Sequence, residues 1–215
     1  RQMCIRDRIF GADKKDSGEI FLEGKPWVPR DPHDAVKKGI AFIPEERRSQ
    51  GLILEKTITF NTILPALEKF RFNKLLPFVD LGAASTETEK ISQRMKVKAE
   101  NVNTVIANLS GGNQQKVVIG KWLTREMKIL ILDEPSRGVD VGARAEIHGI
   151  IRDLADQGVG VILISSEVEE LPGLCDRVLV MVEGHIVGAL EGENITKGNI
   201  LQLSYAHEQK AGEIK

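Results

Sequence analysis

The sequence predicts an α/β fold built on a parallel sheet. Three aliphatic runs, 129–132, 159–164 and 178–182, are each bounded by polar or turn residues. Short, near-continuous apolar runs are typical of strands that are covered on both faces, as in parallel sheets. Segments with helical spacing, 144–157 and 167–174, lie between these runs. A strand–helix–strand–helix–strand order implies right-handed crossovers between parallel strands.

The remaining predicted elements are shorter. Alternation or an apolar run that ends near a turn residue predicts three further strands: 18–22, 40–43 and 186–190. Helical spacing predicts two further helices, the second with a heavily charged side: 57–70 and 86–100. Gly158 predicts the end of the helix 144–157, because glycine tolerates the left-handed backbone found there. The pairs Glu23-Gly24 and Glu183-Gly184 each predict a tight turn.

Composition excludes several classes of function. The 30 lysines and arginines nearly balance the 31 aspartates and glutamates, so no basic excess indicates binding to nucleic acid or to an anionic membrane. Cys4 and Cys175 are far apart, which makes a disulfide framework improbable and favours a reducing cytosol. No apolar run approaches the roughly 18 residues of a membrane span. If the protein acts at a membrane, it is therefore expected to do so through a partner protein.

A glycine pair lies at the start of a predicted helix. Residues 109–116 read Leu-Ser-Gly-Gly-Asn-Gln-Gln-Lys. Gly111 and Gly112 allow the backbone to approach an anion closely, and Ser110 adds a hydroxyl. The unpaired N–H groups and the dipole of a helix amino terminus favour a phosphate at that position. Taken alone, Ser-Gly-Gly is also a common loop sequence.

Two carboxylates follow the aliphatic run 129–132. Asp133, at the mouth of a buried strand, can hold Mg²⁺ directly or through water. Glu134 can polarise a water that attacks a phosphate. A charged turn at the end of a strand is the plain alternative, but the glycine-rich helix start and the spacing between the two segments favour a phosphate site.

These segments resemble the ATP-binding-cassette (ABC) ATPase family over nearly the whole chain, from about residue 9 to about residue 203. Residues 109–113 resemble its signature motif, usually Leu-Ser-Gly-Gly-Gln, with Asn113 in the last place. Residues 129–134 resemble its Walker B strand, in which Glu134 is the catalytic carboxylate. Residues 136–140 resemble its D-loop, in which Asp140 contacts the opposite subunit. The resemblance implies ATP and Mg²⁺ as cofactors.

One subgroup of the family is closer still. Its resemblance is carried by four segments: 44–52, 109–116, 137–143 and 164–167. That subgroup is the second ATPase half of the tandem subunits that power bacterial uptake of ribose, galactose, xylose and related ligands. In such subunits two cassettes form a head-to-tail sandwich, and each ATP lies between the Walker motifs of one half and the signature of the other. Ser110, Gly111, Gly112 and Asn113 are therefore expected to complete the site of a partner cassette.

The chain departs from the family pattern in its phosphate-binding loop. No Gly-x-x-x-x-Gly-Lys-Ser/Thr segment occurs in the 215 residues, and residues 11–18 do not supply one. The loop and the strands around it are expected to precede residue 1. The octet 1–8 has no clear period, which indicates a truncated or misassembled start, or alternatively a helix with an unusual surface. By itself the 215-residue chain is expected to be inactive.

Two further departures concern single residues. Glu45 stands where the family has its Q-loop glutamine, a magnesium ligand that also couples to the membrane subunits. Its carboxylate can bind Mg²⁺, or it can pair with Arg47 or Arg48 instead. Ser166 stands where the switch histidine is expected, and serine supplies no cation to a γ-phosphate. Losses of this kind are common in the second half of the tandem subunits.

The resemblance implies a cassette that energises import of a simple sugar through a membrane permease. Its implied partners are a first cassette, the permease and, indirectly, a periplasmic sugar-binding protein, at the cytoplasmic face of a bacterial inner membrane. A catalytically weak regulatory cassette and a soluble, non-transport ABC ATPase are the alternatives. One partial ATPase domain is expected, comprising a helical subdomain, an α/β core in two pieces and an anomalous head: about 57–125, 9–56 with 126–206, and 1–8.

Overall fold

The computed structural model describes the backbone of residues 2–72 and 78–212 and the side chains of residues 5–72 and 78–206. Seven helices are described in chain order: α1 (Gln2–Phe10), α2 (Pro32–Lys37), α3 (Ile58–Ile63), α4 (Leu81–Arg94), α5 (Gly111–Gly120), α6 (Val141–Asp156) and α7 (Lys197–Gly212). Seven strands are described: β1 (Phe21–Leu22), β2 (Lys25–Pro26), β3 (Ile40–Ile43), β4 (Ile129–Asp133), β5 (Gly160–Ile164), β6 (Arg177–Val182) and β7 (His185–Glu191).

Two compact units divide the chain, one formed by residues 38–162 and the other by residues 1–37 with 163–215. The first unit contains a parallel pair that joins the run 129–132 to the strand 40–43, which was not among the three runs expected in the parallel sheet. β3 runs parallel to β4 with Ile40 opposite Ile129 and Ile43 opposite Leu132, and β5 completes the sheet in the order β3-β4-β5. Leu130, Ile131 and Leu132 are fully buried. The predicted parallel sheet is therefore confirmed as a fold class, with β3 parallel to β4 and β5 hydrogen-bonded to β4.

The helices of the first unit differ from their predicted limits. Residues 57–70 form α3 and then a 3₁₀ segment, Leu64–Phe70, because Pro65 lacks the N–H that an α-helix needs there. The predicted helix 86–100 is α4, which begins five residues earlier because the Asp80 carboxylate caps it by accepting from the Ala83 N–H at 2.9 Å. It ends before Lys96, whose φ of +52° is not helical. A single π-helical turn, Arg47–Gly51, follows β3.

The second unit contains the predicted hairpin. β6 and β7 pair antiparallel, and Glu183 and Gly184 at the turn have φ of +48° and +87°, the signs that a type I′ turn requires. The expectation that residues 178–182 belong to the parallel sheet was wrong, since β6 pairs with β7 in a two-stranded sheet. The burial of β6 alternates, because only one face of this sheet is covered: Val178 and Val180 are buried, whereas Leu179 is 50% exposed.

Two other predicted elements in the second unit are shorter in the structure, and the octet follows one of its two predicted alternatives. The predicted helix 167–174 is only a 3₁₀ turn, Val168–Glu170, because Pro172 and the left-handed Gly173 stop a helix. The predicted strand 18–22 is reduced to β1, paired with β2 across the Glu23-Gly24 turn. Residues 2–8 of the octet are helical, as the second alternative expected, and residue 1 lies outside the described residues.

The core of the second unit is a small apolar cluster: Leu171, Val178, Val180, Ile195 and Ile200. Cys175 packs against this cluster as a partly buried side chain, and its thiol is not in a disulfide. Across the helices that the structure describes, none is long and apolar enough to cross a membrane.

Candidate functional site

The glycine pair lies where the sequence predicted it, at the amino terminus of α5. Ser110 is the N-cap, with extended backbone angles of −60° and 156°, and its hydroxyl oxygen accepts from the Asn113 N–H at 3.4 Å. The Asn113 side chain bends back toward the same oxygen, to which its Nδ2 donates at 2.9 Å. Its Oδ1 accepts from the backbone N–H of Lys98 at 2.8 Å. Ser110 itself is exposed, so this helix end is open to a ligand.

The two glycines are required for different reasons. At Gly112 an added Cβ would overlap the Cβ of Ala143 on α6, so glycine is needed for the close packing of α5 on α6. At Gly111 an added Cβ would lie 2.7 Å from Nη2 of Arg47 and 3.2 Å from the carbonyl oxygen of Gly138. A side chain at Gly111 therefore collides with the groups around the helix end, whereas one at Gly112 collides with the neighbouring helix.

Gly112→Ala is expected to lower the free energy of unfolding of the chain by about 1–3 kcal/mol, the usual cost of overpacking. Both Cβ atoms lie on helix backbones, so neither can move away cheaply. Gly149→Ala is the matched control, because Gly149 lies on exposed α6 surface with nothing within 4 Å of an added Cβ. The control should gain about 0.5–1 kcal/mol from helix propensity. Urea unfolding of the two variants tests this, and equal effects would contradict the packing role of Gly112.

The two predicted carboxylates lie at the end of β4. Asp133 is its last residue and is only 4% exposed, while Glu134 is half-buried and has a φ of +48°. This left-handed backbone is uncommon outside glycine and is found disproportionately at functional sites. The chain then turns tightly, with the Arg137 N–H donating to the Glu134 carbonyl at 3.1 Å. Glu134 thus lies at the corner where a buried strand meets an exposed loop.

Arg47 holds this loop beside the start of α5. Its Nη1 donates to the carbonyl of Arg137 at 2.8 Å, and its Nη2 donates to the carbonyl of Gly138 at 3.1 Å. Nη2 is also the atom nearest an added Cβ at Gly111. Arg47 was considered in the sequence only as an ion-pair partner for Glu45, and no spacing or motif pointed to its place between the two loops. It is the main residue of this site that sequence reasoning missed.

Glu45 does not pair with either of the arginines considered for it. Its carboxylate forms an ion pair with Arg137, two residues beyond Pro135 in the loop after β4. A shallow depression is lined by this pair and its neighbours: Glu45, Glu46, Arg47, Arg48, Arg137 and Gly138. The segment after β3 and the loop after β4 are therefore joined by one ion pair and by two hydrogen bonds from Arg47.

Asp140 caps α6, the helix that packs on α5. Its Oδ1 accepts from the Ala143 N–H at 2.9 Å, and an added Cβ at Gly112 would lie 4.0 Å from its Oδ2. Asp140 and the glycine pair are thus neighbours on one surface of the first unit. Ser166 belongs to the second unit, where it is exposed in the turn after β5. The adjacent Ser165 organises that turn by accepting from the Glu167 N–H at 3.0 Å.

A buried ammonium fastens α5 to α6. Lys116 is 2% exposed, and its Nζ donates to the carbonyl of Lys96 at 2.9 Å and to the carboxylate of Glu146. The hydrogen bond and the charge of Lys116 lower the pKa of Glu146. Only the lysine is buried, since the Glu146 side chain is 40% exposed, so removal of Glu146 leaves a buried ammonium with less compensation for its charge. The packing of Gly112 on Ala143 is therefore reinforced one turn further along the same faces of α5 and α6.

A second lysine fastens the opposite end of α5 to the π-helical turn. Lys121 Nζ donates to the carbonyl of Gly51 at 2.6 Å, and burial lowers the pKa of Lys121 from 10.5 to about 8. The unfolded chain therefore holds this proton between pH 8 and 10.5, whereas the folded chain has lost it. Stability rises with pH wherever the unfolded state binds more protons. The contribution of Lys121 is thus least favourable below pH 8 and improves up to pH 10.5.

The free energy of unfolding of the wild-type chain should rise by about 3 kcal/mol, relative to Lys121→Met, between pH 8 and 10.5. Methionine keeps much of the volume but does not titrate. Subtracting the two urea-unfolding profiles removes the titration of all other groups. Profiles that stay parallel across this range would show that Lys121 keeps an ordinary pKa.

The residues at the end of β4 fit a magnesium ion only in part. Mg²⁺ is usually held by one or two carboxylates together with phosphate oxygens and water, and the buried Asp133 carboxylate is a suitable ligand. Glu45 is engaged by Arg137. Over residues 2–72 and 78–212, no group of three or more acidic, histidine or cysteine side chains forms a metal cluster. Among these residues, Asp133 is therefore the one whose carboxylate fits a magnesium ligand.

The fold matches that of known ATP-binding cassettes. A nucleotide-free ATP-binding cassette from an ABC transporter superimposes with a TM-score of 0.77 at 22% identity, covering 94% of this chain and 79% of that one. The ADP conformation of another ABC transporter cassette gives a TM-score of 0.74 at 22% identity, covering 94% and 82%. The fold is therefore that of an ABC ATPase cassette.

The sequence profile of the ABC transporter family matches residues 6–137, more than half of the chain. The chain therefore belongs to the ABC transporter family. A ribose import ATP-binding protein from Chelativorans sp. is 48% identical over 206 residues, which is 93% of this chain and 39% of that protein. One from Lacticaseibacillus paracasei is 44% identical over 211 residues, or 98% and 42%. The chain thus spans about two fifths of the length of these relatives.

Proposed function

We propose that this chain is an ATP-binding and ATP-hydrolysing cassette that energises import of a simple sugar through a membrane permease. The observation that carries the proposal is the 48% identity to a ribose import ATP-binding protein over 93% of the chain. The geometry supports the ATPase part, because the exposed start of α5 and the carboxylates after β4 lie in segments joined by Arg47. Ribose-type sugars are the proposed cargo class.

The start of α5 would act on ATP held by a partner cassette, the first half of a tandem subunit. Ser110, Gly111 and Gly112 present a hydroxyl and unpaired helix N–H groups that suit a γ-phosphate. Asn113 and Asp140 complete the proposed nucleotide-binding set of the first unit, and Asp140 would also meet the opposite cassette. Ser166 is the proposed nucleotide-binding residue of the second unit.

The chain's own Walker side would use the carboxylates after β4. Asp133, and Glu45 once released from Arg137, are the proposed ligands of Mg²⁺, which when bound would neutralise charge on the phosphate oxygens. Glu134 would orient and polarise the attacking water. Its half-buried position at the end of the sheet, just before the exposed Arg137 and Gly138, supports this role, because a water-polarising carboxylate must reach a ligand outside the sheet.

The proposed partners follow from the import function. They are the first cassette, the permease subunits and, indirectly, a periplasmic sugar-binding protein, at the cytoplasmic face of a bacterial inner membrane. No nucleic-acid partner is proposed, because the net charge of −1 gives no basic excess. Residues 57–125 are the proposed helical subdomain and residues 9–56 with 126–206 the proposed α/β core of one partial ATPase domain.

Reconstitution tests the proposed function. The polypeptide that carries this chain is placed with its permease in proteoliposomes, and ATP hydrolysis is measured with binding protein loaded with ribose, galactose or xylose. We expect hydrolysis to increase with at least one loaded binding protein, accompanied by uptake of that sugar. Hydrolysis without stimulation by any sugar would contradict the import function.

A second candidate, a catalytically weak regulatory cassette, is favoured by the Glu45–Arg137 pair and by Ser166. It would show permease binding without hydrolysis.

A further inference from the structure

We infer that Asn113 is a positioning residue that fixes the direction of the Ser110 hydroxyl, so that this hydroxyl can only donate to a ligand. The inference rests on the proposed role of Ser110 at a phosphate. It assigns to Asn113 an action through Ser110 rather than a contact of its own with the nucleotide.

The two partners of the Asn113 side chain determine the orientation of its amide. The backbone N–H of Lys98 lies 2.8 Å from one amide atom of Asn113, and a backbone N–H can only donate. The atom that faces Lys98 must therefore be the carbonyl oxygen Oδ1. The other amide atom, 2.9 Å from Ser110 Oγ, must then be Nδ2, which can only donate.

The Asn113 orientation in turn determines the direction of the Ser110 hydroxyl proton. The Ser110 oxygen has two lone pairs and one proton. It accepts one hydrogen bond from Asn113 Nδ2 and another from the Asn113 backbone N–H at 3.4 Å. Both lone pairs are then used, and no acceptor among the described residues takes the Ser110 proton. Because Ser110 is exposed, this proton is directed to whatever binds at the helix end.

As a chemical consequence, the Ser110 hydroxyl is held as a hydrogen-bond donor toward the ligand. A serine hydroxyl that rotates freely can turn either its proton or one of its two lone pairs toward a ligand. A phosphate oxygen only accepts, and a lone pair facing it repels. The relay from the Lys98 backbone through Asn113 to Ser110 removes that alternative before the ligand arrives, and donors aligned in advance need no reorganisation during reaction.

A double-mutant cycle tests the relay in the full polypeptide reconstituted with its permease. Asn113→Ala should lower kcat roughly 3- to 10-fold, because the Ser110 donor remains and only its ordering before the ligand binds is lost. In a Ser110→Ala background the same change should have almost no further effect, because Asn113 then has no hydroxyl to direct. Effects that simply multiply would overturn the inference, since Asn113 would then act independently of Ser110.

Asn113→Asp tests whether the direction of the hydrogen bond to Ser110 matters, and not only the contact between the two side chains. The aspartate keeps the shape and can still accept from Lys98, but its second oxygen takes the Ser110 proton and so reverses the last hydrogen bond. Its activity should fall below that of Asn113→Ala, because the hydroxyl then presents a lone pair to the ligand. In the Ser110→Ala background the two substitutions at position 113 should have equal effects. An activity of Asn113→Asp that stays below that of Asn113→Ala there would indicate charge repulsion alone and contradict the relay.

The same polypeptides distinguish failure of the inference from failure of the proposed function. If wild-type protein hydrolyses ATP on sugar stimulation and the cycle is multiplicative, the proposed function stands and the relay is wrong. If wild-type protein does not hydrolyse ATP with any loaded binding protein, the proposed function is wrong and the role of Asn113 in it falls with it.

Discussion

Gly111→Asp is expected to reduce sugar-stimulated ATP hydrolysis by at least about 100-fold, the loss found when charge stabilisation at a reacting group is removed. An added Cβ at Gly111 lies 2.7 Å from Arg47 Nη2 and 3.2 Å from the Gly138 carbonyl, so the side chain enters the space around the helix end. There its carboxylate can pair with Arg47 and take the place that a γ-phosphate would occupy. Like charges at this separation repel.

The measurement is steady-state hydrolysis by the polypeptide reconstituted with its permease, together with ATP binding to the partner cassette. Binding to the partner's Walker side should persist, because Gly111 would act only when the two cassettes close. Gly111→Asn has nearly the same volume without the charge, so it separates steric overlap from repulsion. Gly149→Asp adds the same charge where nothing lies within 4 Å and should leave hydrolysis unchanged. Normal turnover by Gly111→Asp would refute the placement of the glycine pair at a phosphate.

Glu134→Gln in this cassette is expected to lower ATP hydrolysis much less than the equivalent change in the first cassette. Removing a general base costs about 10²- to 10⁴-fold, but only where that base limits turnover. Glu45 is held by Arg137, and Ser166 stands where a histidine is expected, so the site on this cassette's own Walker side should turn over slowly. Its start of α5 would meanwhile complete the faster site of the partner.

Steady-state hydrolysis of the two variants, each reconstituted with the permease, measures this asymmetry. Glutamine keeps the size of the side chain and leaves the left-handed backbone at position 134 in place, so the comparison reports the carboxylate. Glu183→Gln is the matched control, because Glu183 has the same φ of +48° in an exposed hairpin turn. Equal and near-complete losses in the two cassettes would mean that the sites work symmetrically.

Sequence reasoning located the elements whose determinants are local. The apolar run of β4, the turn pair Glu183-Gly184 and the helix start at the glycine pair each depend on residues within a few positions of one another. Backbone preferences and short-range hydrogen bonds act over that distance, so the order of residues is enough to predict them. Pro172 is also a local signal, and it explains why the predicted helix 167–174 is only the 3₁₀ turn Val168–Glu170.

Only the tertiary structure decided which distant groups share the site. Arg47 bonds carbonyls 90 and 91 residues away, and Glu45 pairs with Arg137 rather than with its neighbours in the chain. The need for glycine at position 112 comes from Ala143 on another helix. The sequence by itself determined the local segments and the family that they resemble. The pairings between segments arise from how the helices and the sheet pack, and a long, flexible cation such as arginine can reach many carbonyls, so residue order alone does not select one.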